Sequence, residues 1–111
     1  MLLGEGALGD VRVMETETAR LAMSDMLPPD VDKTGMYYES GVGAAGRVTI
    51  EAGAAGEGLG TYGWGGAAGT VAWVDRTNNL RASGYVQNLP SEITPFRAGV
   101  LASVYSDLHG G

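Results

Sequence analysis

The chain has 111 residues, 44% of them hydrophobic, and no cysteine. That length excludes more than one domain, and the missing cysteine excludes a disulfide framework or a thiolate zinc site. Thirteen acids against seven bases give a net charge of −6, with Lys33 the single lysine, which argues against a nucleic-acid partner. Much of the apolar fraction is Ala and Gly, which bury little area at roughly 25 cal/mol per Å². A thin core that gains from a partner surface is the expectation. No stretch approaches the about 20 apolar residues a membrane span needs, and no basic n-region marks a signal peptide.

Met1 to Asp10 reads as two glycine-containing turns, followed by the short extended piece Val11-Arg12-Val13. A first helix is predicted from Thr16 to Met26, with Glu15 and Glu17 in its first turn, where negative charge suits the dipole. Thr18, Leu21, Ala22 and Met26 would share its inner face, and Pro28-Pro29 would stop it. Met36 to Glu39 and Arg47 to Glu51 read as strands. The Gly/Ala tracts at 41–46 and 53–56 read as mobile loops.

Thr61 to Val74 reads as one glycine-bent strand containing Tyr62-Gly63-Trp64-Gly65-Gly66-Ala67-Ala68-Gly69-Thr70. Glycine weakens a strand unless a bulge, a bend or a closely approaching ligand requires it. Asp75 to Asn79 is turn-forming, and Leu80 to Gln87 returns as a second strand, so a hairpin is predicted. Thr94 as N-cap and Pro95 as first helical residue open an amphipathic helix carrying Phe96, Val100, Leu101, Val104 and Leu108. The fold class expected is α+β: an antiparallel sheet with an N-terminal helix, and the C-terminal amphipathic helix packed on one face.

Several candidate chemistries fail on context. Gly58-Leu59-Gly60-Thr61-Tyr62-Gly63 fits G-x-G-x-x-G, yet no helix can open at the Trp64-Gly65-Gly66 that follows. Lys33-Thr34-Gly35 is a literal K-T-G in a loop-like setting, read as a solvated lysine. His109, the one histidine, sits beside terminal glycines and is read as inert. The acids are scattered, and no metal or other cofactor is expected. Tyr37, Tyr38, Tyr62, Tyr85, Trp64 and Trp73 read as core and cross-strand pairs, with the wall of a pocket as the alternative.

Trp64-Gly65-Gly66 before a strand, a turn, a second strand and a closing helix resembles the C-terminal part of serine hydrolases related to class C β-lactamases and penicillin-binding proteins. The likeness is to the esterase-like branch (family VIII type), in which W-G-G replaces K-T-G on the active-site strand. Leu2 to Val13, Glu17 to Met23, Trp64 to Asp75 and Pro95 to Leu108 carry the resemblance in family order. It implies that residues 1–111 are a partial β-lactamase-like domain, its C-terminal third. It also implies that Trp64, Gly65 and Gly66 line the substrate, and that the Ala67 backbone N–H forms part of the oxyanion hole. An uncrowded amide is what such a donor requires. The family's S-x-x-K nucleophile and Y-x-N motif are missing from the sequence and are expected upstream of Met1.

The expectation is therefore a piece that is inactive alone, its complete enzyme hydrolysing a small-molecule ester or amide through an acyl-serine. Trp in place of Lys removes a charge that would meet a substrate carboxylate, which favours neutral esters. The missing N-terminal portion, or a second copy, is the expected partner. The alternative is a non-enzymatic assembly module that pairs through its Gly/Ala-rich strand edge.

Overall fold

The computed structural model describes residues 1–34, 40–53, 55–89 and 95–110. Strands β1 (Ala7–Leu8) and β2 (Val11–Arg12) form a small antiparallel hairpin, followed by helix α1 (Thr16–Ala22). Then come β3 (Gly41–Gly43), β4 (Gly46–Val48), β5 (Tyr62–Gly65), β6 (Val71–Asp75) and β7 (Leu80–Gly84). Helix α2 (Phe96–Leu108) closes the chain. The larger sheet has the order β3-β4-β5-β6-β7, antiparallel throughout. The fold class is α+β, as expected.

Side-chain alternation sets what α2 covers. Gly63, Gly65, Val71, Trp73, Asp75, Ala82 and Gly84 share one face through the pairings Gly63↔Trp73, Gly65↔Val71, Trp73↔Ala82 and Val71↔Gly84. On that face the Trp73 indole N–H donates to the Tyr105 hydroxyl at 3.1 Å. A side chain at Gly84 would meet the Phe96 ring at 3.0 Å. Glycine at 84 thus lets the first turn of α2 approach the sheet. Phe96, Arg97, Val100, Leu101, Val104 and Tyr105 are its less exposed positions, at the spacing of a helix lying on a surface. Tyr105, absent from the predicted stripe, is its fully buried member, whereas Leu108 is exposed.

Several boundaries depart from expectation. Helix α1 ends at Ala22, and it buries Ala19 while Leu21 and Met26 stand exposed. The chain leaves the helix there because residues 22 to 26 turn to run beside β3, with Ala44 N–H donating to the Ala22 carbonyl and Met26 N–H to that of Val42. That pairing also makes a strand of the Gly41–Gly43 tract predicted to be a loop. A Cβ at Gly41 would strike Asp25, so glycine there serves close packing rather than mobility. The bent strand over Thr61 to Val74 is in fact two strands joined by a tight turn. The second strand of the next hairpin ends at Gly84. Pro95 is the N-cap of α2 rather than its first residue, while Thr94 and the strand predicted over Met36 to Glu39 lie outside the described residues.

Candidate functional site

The local chemistry of the β5–β6 hairpin explains the glycine-rich run. Gly66 N–H donates to the Thr70 carbonyl at 2.9 Å, and Gly69 N–H donates to the Gly66 carbonyl at 3.0 Å. Gly69 has φ 91°, in the left-handed region. A tight turn over Gly66 to Gly69, followed by a left-handed glycine, is the usual three-residue hairpin loop with a G1 bulge. Trp64 and Gly65 thus end β5, Gly66 begins the turn, and Ala67 is its first central residue.

The edge of β5 changes character along its length. Tyr62 and Gly63 pair with Val48 and Arg47 on one side and with β6 on the other. Strand β4 then stops, so among the described residues Trp64 and Gly65 are laddered to β6 alone. Gly66 N–H points at β6, which by strand alternation turns Gly65 N–H toward the open side. Ala67 is exposed, and its N–H has no backbone or side-chain acceptor among the described residues. Trp64 alternates to the face away from α2 and is 55% exposed.

Beneath this hairpin, between α2 and the sheet, lies a cavity of about 330 Å³. Its lining includes Gly63, Gly65, Trp73, Leu101, Arg47 and Arg97. Arg97, in the first turn of α2, donates through Nη2 to the Gly66 carbonyl. Its Cζ lies 2.7 Å from where a Cβ at Gly65 would stand, so glycine at 65 makes room for the guanidinium. The Arg97 Nε is buried and has no partner among the described residues.

A second constellation holds this arrangement from below. Asp75, 0% exposed, accepts from Gly58 N–H at 2.9 Å, from Asn78 N–H at 3.0 Å and Nδ2 at 2.8 Å, and from the Tyr105 hydroxyl at 2.7 Å. Burial pushes its carboxyl up, but the Asn78, Gly58 and Tyr105 donors outweigh burial and hold it down at about 2. Burial, and then the Asp75 carboxylate, push the Tyr105 hydroxyl well above the ordinary tyrosine range. The hydroxyl is consequently a fixed neutral donor, not an acid–base group.

The remaining candidates resolve into structural roles. Gly58 to Gly63 leads into strand β5, which excludes the dinucleotide geometry. Lys33 is only partly exposed rather than freely solvated and pairs with Asp25 at 2.8 Å, and that carboxylate also accepts from Val42 and Leu27 N–H groups. His109 is the C-cap of α2, its ring stacked on Tyr105 with centroids 6.1 Å apart. Asp30 and Asp32 stand two residues apart, but among the described residues no group of three or more His, Cys, Asp or Glu could hold a metal ion. Nor is any described helix long and apolar enough to cross a membrane. No protein-family model matches the chain, and none of the curated proteins matches it either.

Sequence reasoning missed Arg97 and Tyr105. Tyr105 stands four residues after Leu101, in line with the predicted apolar stripe though not counted in it, and there a polar tip signals a buried hydrogen-bond partner. Arg97 interrupts that stripe two residues after Pro95, and a cation so placed faces the sheet it packs on.

Proposed function

We propose that the chain is the C-terminal part of a β-lactamase-related serine hydrolase and supplies the wall of an acyl pocket. In this reading Trp64 to Gly66 form the strand along which an ester or amide lies. The Ala67 N–H is one of two donors to the oxyanion of an acyl transfer. The nucleophile, its lysine and the second donor come from protein outside this chain, so the chain alone does not turn over. The observation that carries the reading is the one-sided ladder at Trp64 and Gly65, ending in an exposed amide at Ala67 with no acceptor among the described residues. A preorganised, unspent donor is what a developing oxyanion needs.

Ala67→Pro tests this cleanly. Proline is favoured at the first central position of a type I turn, so the substitution deletes one N–H and leaves the loop intact. Mixed with an N-terminal portion carrying S-x-x-K, the wild-type chain should yield hydrolysis of a neutral aryl ester. The variant should lose about 100- to 1,000-fold in kcat. Binding of the two portions without turnover would instead favour the assembly-module alternative, and a variant as active as wild type would end the oxyanion assignment.

A further inference from the structure

The Gly66–Ala67 peptide is held at its carbonyl end by two donors, and among the described residues its N–H end has no acceptor. The Gly66 oxygen accepts from Gly69 N–H at 3.0 Å and from Arg97 Nη2. A trans peptide is planar, so its carbonyl and its N–H point in opposite directions. Whatever fixes the Gly66 oxygen therefore aims the Ala67 N–H. We infer that Arg97 is a positioning residue that clamps this peptide plane and so presents the Ala67 amide outward. The inference rests on the reading of Ala67 as an oxyanion donor, but the clamp itself is a matter of geometry.

Three features make Arg97 suited to this and distinguish it from a surface cation. The side chain is partly buried and lines the cavity under the hairpin. Gly65 leaves the space that the guanidinium occupies. The helix bearing it is fixed two turns later, where Tyr105 donates to Asp75 and accepts from Trp73. A turn carbonyl held by the Gly69 N–H alone could rock about that one bond, whereas a second donor from another element removes that freedom. A cation on the carbonyl also polarises the peptide and makes its N–H a stronger donor.

Triple-resonance NMR of the full chain decides the matter. In the wild type, a scalar coupling across the hydrogen bond should link Arg97 Nη to the Gly66 carbonyl carbon, and its absence overturns the clamp. This measurement needs no variant to fold. In Arg97→Met, which keeps the stem and loses the donors, the Gly66 carbonyl and Ala67 amide resonances should move. The Trp73 indole and the β6–β7 amides should stay, and Arg97→Lys should restore the shifted signals. Unmoved Gly66 and Ala67 signals in a folded R97M chain would overturn the inference. In the complemented enzyme, R97M should lower kcat roughly tenfold at unchanged KM, as a misaligned donor does, with R97K recovering most of it. An R97M enzyme equal to wild type beside an inactive A67P enzyme removes the role of Arg97 and leaves the proposed function standing. An A67P enzyme equal to wild type removes the oxyanion reading, while the coupling still decides the clamp.

Discussion

At Asp75 a carboxylate is buried with no cation paired to it among the described residues, and four hydrogen bonds to it offset its desolvation. Asp75→Asn replaces an acceptor oxygen with a donor that faces N–H groups. The cost should be about 1–3 kcal/mol, read as a lowered denaturant midpoint. The pH dependence follows from the depressed carboxyl. Its folded value is about 2 against an ordinary 3.8, so the folded state binds this proton less readily than the unfolded state. The stabilisation is therefore complete above about pH 4 and is lost as pH falls from there through about 2. Midpoints measured between pH 6 and 2.5 should drop for the wild-type chain, and this component of the drop should vanish in D75N. The carboxylate was visible in the sequence only as a turn former, because its buried donors arrive from Gly58 and Tyr105, far away along the chain.

Among the elements, the β6–β7 hairpin was the most legible, since Asp-Arg-Thr-Asn-Asn separates two alternating runs and the register Asp75↔Leu80 follows from it. The β5–β6 hairpin was not legible, because its strands carry too few β-branched residues for the turn to stand out against them. Its one usable signal was Gly69 before Thr70, a left-handed glycine closing a short loop. Gly69→Ala places a side chain at φ 91° and should destabilise the chain by about 1–2 kcal/mol. Thermal melts should show this, with amide shifts confined to residues near the turn. Strand β3 was hidden for a different reason. The two glycines of Gly-Val-Gly disfavour a strand, and pairing with β4 and residues 22 to 26 imposes the conformation. Likewise the α2 stripe could be read from spacing, but Arg97 and Tyr105 take their roles from partners on β5 and β6.

Over the whole molecule, the accessible surface is 7086 Å². A compact monomer of 11.4 kDa would show about 5,800 Å². The buried apolar residues among those described are Ala19, Met23, Val48, Trp73 and Tyr105, while Leu8, Val11, Val13, Leu59, Trp64 and Tyr85 are exposed. The excess of roughly 1,300 Å² on this one chain is more than the about 800 Å² that each partner buries in a standard protein–protein interface. The chain alone should therefore bind a hydrophobic dye such as ANS, and on the proposed hydrolase reading it should melt about 5 °C higher when an N-terminal portion carrying S-x-x-K is added. A chain that binds no dye and gains no stability from that portion would contradict a partner surface. The thinness of the core was legible from composition. Which faces stay bare was not, because that depends on how few residues α1 and α2 cover.

Asp75 ties three stretches that are remote in sequence: the approach to β5, the turn after β6, and the last turn of α2. A nick by a protease inside any of the intervening loops would leave both pieces fastened at this knot. Shaving α2 back past Tyr105 would instead untie it. Anyone dissecting the chain into the smallest portable unit should accordingly keep the helix through its final turn.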